Sequence, residues 1–260
     1  MKALITGASS GLGEQFAYIL ANKGYDLILV ARRKDRLEKI KSKLNVDVQI
    51  VTLDLSSTFN CMKLYNKVKK NDIDVLINNA GFGLFGEFSD IKLERELDMI
   101  DLNIKAVHTL TKLFLKDFLK ANKGYILNVA SSAGYFSGPL MATYYATKAY
   151  VLHLTEALQE EVKQAKKDVY IGCLCPGPVK TEFNDVANVK FSLKSKSKEE
   201  VASYAIKQMF KKRKIIIPGF KMKLIIAGSK MISRKQLTHI NYYNQQRKVK
   251  WLSILMFLSL

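Results

Sequence analysis

The sequence is poor in the residues that stiffen a chain, cross-link it or bind metal: four prolines, three cysteines, three histidines and one tryptophan among 260 residues. So little proline beside nearly half apolar residues excludes a collagen-like or disordered chain, since neither composition builds a packed core. Three cysteines, Cys61, Cys173 and Cys175, are odd in number and too few for a disulfide framework. Cys173 and Cys175 share one face of an expected strand but sit too far along it for an easy disulfide, so free buried thiols in a reducing compartment are expected. His108, His153 and His239 are scattered and point to no metal site. No apolar run approaches the roughly 20 residues that a membrane-crossing helix needs. Met1 and Lys2 lead straight into an apolar strand, so no signal peptide is expected and a cytoplasmic protein fits.

Acidic residues are scarce in one region only. Residues 1–189 hold 25 Lys/Arg against 21 Asp/Glu, whereas 190–250 hold 17 against Glu199 and Glu200 alone. The formal net charge of +19 is therefore concentrated in the C-terminal quarter. A uniformly basic chain would point to a lysine-rich composition or a polyanion binder. A basic quarter points to an anionic surface met by one region.

What the sequence does have is alternation. Over the first two-thirds, short β-branched runs alternate with amphipathic stretches, the pattern of βα units around a parallel sheet. Strands are expected at 3–5, 26–31, 48–53, 75–78, 124–130, 169–174 and 214–218. Helices are expected at 13–22 (ending near Gly24), within 92–119, and at 144–164 and 199–212. Residues 182–198 are polar and lysine-rich without clear period, hence a loop. With no internal repeat and no linker between two cores, the fold class is α/β: one doubly wound (Rossmann) parallel sheet of seven strands. The domain is expected over 1–220, with a basic amphipathic extension at 221–260.

The stretch Thr6-Gly7-Ala8-Ser9-Ser10-Gly11-Leu12-Gly13 lies between the first strand and the first helix. A phosphate needs backbone N–H groups brought close, and glycine lacks the Cβ that blocks that approach. Glycines at 7, 11 and 13 give a tight exit from the strand, room for a pyrophosphate and close helix packing. Glycine-rich plain turns are common; the strand before and helix after make this one a nucleotide loop.

The spacing TGxxxGxG resembles that of the short-chain dehydrogenase/reductase family rather than the GxGxxG of other dinucleotide folds, and further motifs follow in family order to about residue 220. Asn78-Asn79-Ala80-Gly81 resembles the family's NNAG segment, which steadies the sheet and lines the adenosine side. Asp54-Leu55 stands where the family's Asp contacts adenine. Pro176-Gly177, with Val179 and Thr181, resembles the motif that flanks nicotinamide. The resemblance implies a dinucleotide site built from Gly7, Ser9, Ser10, Gly11, Leu12, Gly13, Arg32, Arg33, Asp54, Leu55, Asn79, Ala80, Gly81, Pro176, Gly177, Val179 and Thr181, completed by Tyr144 and Lys148.

NAD-selective relatives hold an acid at the end of strand two for the ribose 2′-OH. This chain has Ala31, Arg32 and Arg33 there. An acid would repel a 2′-phosphate, whereas a guanidinium pairs with it bidentately. The arginines also suit the start of a charged helix, yet the missing acid still favours NADP(H).

Tyr144 and Lys148 form YxxxK, one helical turn apart on one face, while Tyr145 is turned about 100° away. A free tyrosine, with a pKa near 10, is a poor proton donor at neutral pH, and a lysine cation is expected to lower that pKa. Ser131 precedes Tyr144 by 13 residues, which resembles the spacing of the family's catalytic serine; Ser132 fits less well. Asn103, in Asp101-Leu102-Asn103-Ile104, resembles the family's helix asparagine that holds a relay water. Singly these are a surface Ser, a packed Tyr and a capping Asn; together, behind a nucleotide loop, they are more than coincidence. The resemblance implies hydride transfer to a carbonyl carbon, with Ser131 and Tyr144 binding the developing alkoxide, Tyr144 acting as general acid, and Lys148 tuning it and holding the ribose. Ser131 has no histidine partner in sequence, so a hydrolase triad is unsupported.

Beyond residue 220 the resemblance thins. Residues 221–232 alternate apolar and basic side chains as an amphipathic helix, and Arg247, Lys248 and Lys250 precede an apolar stretch, 251–260, that opens on Trp251. Ten residues cannot span a bilayer, but cations followed by Trp, Phe and Leu suit an anionic membrane interface. Packing over the substrate cleft or a partner subunit is the equal alternative. Nucleic acid fits the charge less well, for lack of a binding motif or an aromatic platform.

The expected function is NADPH-dependent reduction of a ketone or aldehyde, hydrophobic or lipid-like because Phe82, Leu84, Phe85, Tyr135, Phe136 and Phe183 are expected around the pocket. The alternative is a membrane-associated NADP(H) sensor without turnover, against which the complete Asn103, Ser131, Tyr144 and Lys148 set argues. The resemblance also implies a homo-oligomer, paired through helices within 92–119 and 144–164.

Overall fold

The computed structural model describes the backbone of residues 1–183 and 195–257 and the side chains of 1–183 and 195–246. Aliphatic runs bounded by polar turns form seven strands: β1 (Lys2–Thr6), β2 (Asp26–Ala31), β3 (Val48–Thr52), β4 (Val75–Asn78), β5 (Gly124–Val129), β6 (Val169–Leu174) and β7 (Ile215–Ile216). They pair in parallel in the order β3-β2-β1-β4-β5-β6-β7. Parallel pairing needs crossovers, and α1 (Gly11–Ala21), α2 (Lys34–Lys41), α3 (Thr58–Val68), α4 (Leu93–Ile100), α5 (Val107–Ala121), α6 (Ala142–Gln164) and α7 (Lys198–Phe210) supply them. After β7 come α8 (Phe220–Ser229) and α9 (Arg234–Phe257).

Helices on both faces bury both sides of β2 and β6, which read as apolar runs rather than alternating ones. Alternate residues feed two cores. Ile5, Leu27 and Leu29 pack with Phe16, Leu20 and Ile206 on one face. Leu4, Ile28 and Leu76 pack with Leu64, Leu110 and Phe114 on the other. β1 pairs with β2 on one side and β4 on the other, so chain direction across the sheet reverses there. At such a switch point the connections diverge, and a crevice opens beyond the carboxyl ends of the strands.

Several elements differ from the sequence expectation. α1 begins at Gly11, so the last two loop glycines lie in its first turn. No element is expected at 58–68, yet α3 forms there; its buried stripe is only Cys61, Leu64 and Val68, too brief for a period to stand out. The helical stretch expected at 92–119 is interrupted by a π-helical turn, Asp101–Ala106, which carries Asn103; such wide turns recur at functional sites. α6 begins at Ala142, ahead of Tyr144, and β7 is only Ile215–Ile216. Of the loop expected at 182–198, residues 184–194 lie outside the described residues. Lys196 bridges Val179, and Ser197 caps α7 by accepting a hydrogen bond from Glu200 N at 3.1 Å.

The extension is not detached from the body. Asn241 Nδ2 donates to Ser137 O at 3.0 Å and Gln245 Nε2 to the Tyr145 hydroxyl at 2.9 Å. α8 lacks the single apolar face expected of it, because Ile226 is buried while Phe220 and Leu224 face solvent. All three cysteines are free and buried, with the Cys173 and Cys175 sulfurs 3.6 Å apart, well beyond the roughly 2.05 Å of a disulfide. Among the described residues no helix is long and apolar enough to cross a membrane.

Candidate active site

The chain leaves β1 through Gly7 at φ 64° and enters α1 through Gly11 at φ 59°, both in the left-handed region that side chains disfavour. A Cβ on Gly7 would stand 2.8 Å from Ala80 Cα, and one on Gly13 only 2.3 Å from the Gly7 carbonyl oxygen. Gly13 therefore serves by letting α1 sit against the loop. The Thr6 hydroxyl accepts from Asn79 N (2.9 Å) and Ala80 N (3.1 Å). Asn79 Nδ2 in turn donates to the carbonyls of Thr6 (3.0 Å) and Gly7 (3.2 Å). These bonds join the glycine loop and the segment after β4 into one floor.

Arg32 and Arg33 diverge. Arg33 turns over the loop, donating from Nη2 to Ser10 Oγ (2.9 Å) and from Nη2 and Nε to Ser9 Oγ (3.3 and 3.4 Å). Arg32 points outward, 3.6 Å from Asp54. Burial would raise the Asp54 carboxyl, but hydrogen bonds from Ser56 N (3.0 Å) and Oγ (2.9 Å), with Arg32, hold it below the usual range. Arg36 pairs with Glu182, which also accepts from Arg33 Nη1 at 3.0 Å. Hydrogen bonds from Arg36 and Arg33 hold the Glu182 carboxyl low against its partial burial. Sequence reasoning missed both Arg36 and Glu182. The signal for Arg36 is its i,i+3 spacing from Arg33; none marks Glu182, 149 positions from Arg33.

At the other end, Tyr144 and Lys148 are buried one turn apart on α6. The Tyr144 phenol and Ser131 face the same cleft, and the Ser131 hydroxyl favours the ionised phenol. Ser131 Oγ accepts from Ala133 N at 3.1 Å, capping the 3₁₀ turn Ser132–Tyr135, and donates a long bond to Pro176 O at 3.4 Å. Lys148 Nζ donates to Val129 O at 3.0 Å and lies 5.9 Å from the Tyr144 ring centre. Contrary to expectation, the phenol is not acidified: burial pushes its pKa up, and Ser131 opposes that only in part. Burial also lowers the Lys148 ammonium to about 8, and that ammonium is directed at a backbone carbonyl.

Asn103 is fully buried, and its amide is already engaged. Oδ1 accepts from Phe82 N at 3.1 Å, while Nδ2 donates to Phe82 O (2.9 Å) and Thr147 Oγ1 (3.1 Å). Thr147 donates to Tyr144 O at 2.7 Å, so Asn103 clamps the segment after β4 to α6. Its side chain is thus spent on protein contacts.

Both ends open into one cavity of about 740 Å³, within the ~300–1,000 Å³ range of cofactor and ligand sites. Gly7, Ser9, Ser10, Gly11 and Leu12 line it, as do Arg32, Arg33, Asp54, Leu55, Asn79, Ala80 and Gly81. Ser131, Tyr144 and Lys148 face it together with Pro176, Gly177, Val179 and Thr181. Gly13 and Asn103 stand behind the wall. Of the expected aromatic wall, Phe82, Phe136 and Phe183 line the cavity; Leu84, Phe85 and Tyr135 do not, because they pack into neighbouring apolar clusters. In their place Met222, Ile225, Leu237 and Ile240 of α8 and α9 close the substrate end, with Asn241, Asn244 and Gln245 beside them. Nothing in the sequence of the extension marks these as wall residues.

The short chain dehydrogenase family model matches residues 1–190. An uncharacterized oxidoreductase of Staphylococcus epidermidis is 34% identical over 185 residues, which cover 70% of this chain and 80% of the relative. The very-long-chain 3-oxoacyl-CoA reductase of Rattus norvegicus is 32% identical over 219 residues, 79% of this chain and 67% of that one; a Pyrenophora tritici-repentis reductase of the same name is covered over 56% of its length. Among solved structures, a short-chain dehydrogenase from Sphingobium yanoikuyae in complex with NADPH superposes with a TM-score of 0.80 at 28% identity, covering 88% of this chain and 93% of that one. An alcohol dehydrogenase from Thermococcus sibiricus complexed with 5-hydroxy-NADP gives 0.72 at 31% identity, over 83% and 94%. The family match runs from β1 through the segment after β6, taking in every wall of the cleft except α8 and α9, and the chain belongs to the short-chain dehydrogenase family of oxidoreductases.

Proposed function

We propose that this protein uses NADPH to reduce a hydrophobic ketone or aldehyde to an alcohol, with Tyr144 as the proton donor. One observation carries the reading: a single cleft joins an end where Arg33 lies over the hydroxyls of Ser9 and Ser10 to an end lined by Ser131, the buried Tyr144 and Lys148. The residues fit the cofactor. Gly7 and Gly11, at positive φ, line the cleft with backbone that no side chain covers, and Arg33 offers guanidinium donors to a 2′-phosphate with no acid at the end of β2.

Bound there, NADPH supplies the hydride for the carbonyl carbon. The chain's own residues do the rest. Leu12 and the glycine loop would present backbone to the phosphates, Asp54 and Leu55 would meet the adenine, and Asn79, Ala80 and Gly81 would form the floor. Pro176, Gly177, Val179 and Thr181 would hold the nicotinamide end. Ser131 and Tyr144 direct their hydroxyls at the carbonyl oxygen, and Tyr144 releases its proton as charge develops there. Burial keeps that phenol protonated, the form reduction requires. Lys148 places a cation beneath the tyrosine, and Asn103 fixes the helix that bears both. The apolar walls from α8 and α9 support a hydrophobic substrate, as do the name of the rat reductase and a bulky-bulky ketone specific alcohol dehydrogenase from Comamonas testosteroni (TM-score 0.76, 26% identity). The test is Tyr144→Phe: NADPH affinity should stay within about twofold while turnover drops by roughly 10²–10⁴. Turnover within tenfold of wild type would remove Tyr144 from the chemistry.

The outer side of the extension we assign to an anionic lipid surface on the cytoplasmic side of a membrane. No Asp or Glu follows Glu200. Phe220, Leu224 and Met231 (73%, 55% and 92% exposed) stand beside Lys221, Lys223 and Lys230, the pairing of apolar and cationic groups that interfacial helices present. Sedimentation with phosphatidylserine liposomes, lost on reversing those three lysines to Glu, is expected; equal recovery with phosphatidylcholine liposomes would contradict it. Pairing of two chains through α4 to α6, where Leu93 and Leu97 are exposed, completes the reading. Light scattering at the mass of one chain would exclude that pairing.

A further inference from the structure

Two guanidiniums and two serine hydroxyls converge at the adenosine end of the cleft. Arg33 reaches Ser9, Ser10 and Glu182, and Arg36 reaches Glu182 through the other carboxylate oxygen. Each oxygen of Glu182 thus has its own arginine, one contact from each guanidinium, and the same two guanidiniums could pair with the oxygens of a phosphate. Glu182 comes from the far side of the cleft, next to Thr181, whose methyl group would lie 3.3 Å from a Cβ on Gly11. The link therefore ties the β2–α2 connection to the segment after β6, across the mouth through which an adenosine phosphate enters.

We infer that Glu182 is an internal stand-in for the 2′-phosphate, and that it sets cofactor choice by competing for Arg33 and Arg36. The inference rests on the proposal that Arg33 receives the 2′-phosphate of NADPH, and it adds Arg36 as a second phosphate ligand. A phosphate dianion carries more charge than one carboxylate and displaces it from both guanidiniums. Cofactors with a bare 2′-OH bring no anion to that place and leave the link closed. Binding of a 2′-phosphorylated nucleotide then releases the segment after β6 from α2, whereas a 2′-hydroxyl nucleotide does not. The three side chains are 41–43% exposed, so water screens the link and limits the effect of its displacement to about three- to tenfold in affinity.

The test is calorimetric titration of the full chain with 2′,5′-ADP and with 5′-AMP, for wild type, Glu182→Gln and Arg36→Ala. Glu182→Gln should tighten 2′,5′-ADP about three- to tenfold and leave 5′-AMP within about twofold. Arg36→Ala should weaken 2′,5′-ADP alone. If wild type binds both nucleotides equally, the NADPH reading itself fails and this inference with it. If wild type prefers 2′,5′-ADP while Glu182→Gln leaves it unchanged or weakens it, only the inference fails. A Glu182→Ala variant, with an unchanged thermal midpoint as the folding check, must tighten 2′,5′-ADP in the same way.

Discussion

At the adenosine end of the cleft, wall residues lie just past the carboxyl ends of β1 to β4, and backbone geometry dictates much of their identity. At the substrate end, part of the wall comes from α8 and α9, which follow the last strand and contribute interchangeable apolar side chains. Gly13 has no substitute, because a Cβ there meets the Gly7 carbonyl at 2.3 Å. Leu237 and Ile240, by contrast, need only be apolar and of suitable size. The first end is fixed by the phosphates that it must approach, the second only by a substrate's shape. Changes at the first should therefore act on cofactor binding or stability, and changes at the second on substrate selection, with Tyr144 and Lys148 between them.

The largest expected effect falls between the two ends. Lys148→Met should cut turnover by roughly 10²–10⁴. With the buried ammonium titrating at about 8, Lys148 is charged below that pH and neutral above it, while Tyr144, pushed up by burial, stays protonated past both. The kcat/KM of wild type should thus fall above pH about 8, and a profile flat to about pH 10 would contradict it. The same depressed pKa means that the unfolded chain binds more protons between about 8 and 10.5. This group's contribution to stability therefore rises with pH across that window.

Gly13→Ala comes next. Backbone must yield to its Cβ, so a loss of about 1–3 kcal/mol in urea unfolding is expected, with weakened NADPH binding; an unchanged midpoint would mean that α1 does not rest on the loop as described. Arg33→Ala should raise the NADPH dissociation constant about 10- to 100-fold by fluorescence titration, with NADH nearly unaffected. Ile240→Trp sharpens the contrast from the other end: KM for bulky ketones should rise several-fold, about 1 kcal/mol, with cofactor affinity unchanged. A parallel loss of NADPH affinity would erase the division between the two ends. The smallest effect is expected from Asp54→Asn, about twofold on both cofactors, because its pairing with Arg32 is largely exposed.

Legibility in the sequence follows the same division. The strands and the glycine loop are readable because buried parallel strands must be apolar and close phosphate approach must be glycine. Tyr144 and Lys148 are readable as a pair from their one-turn spacing, and Ser131 from its resemblance to the family's serine. The direction of the Tyr144 shift is not, because it depends on burial, which spacing does not encode. Arg36 is half legible through its turn from Arg33; Glu182 is illegible, since only the tertiary fold brings it to α2. The π-helical turn at Asn103 leaves no compositional trace. The extension announces its charge plainly and its inner wall not at all.

The most direct measurement is NADPH oxidation over a panel of ketones, aldehydes and 3-oxoacyl thioesters, run in parallel with NADH. Turnover with NADPH, at least tenfold faster than with NADH and fastest on a hydrophobic carbonyl, is the predicted result. Tight NADPH binding without turnover on any carbonyl would contradict it and favour a sensor that uses the same cleft.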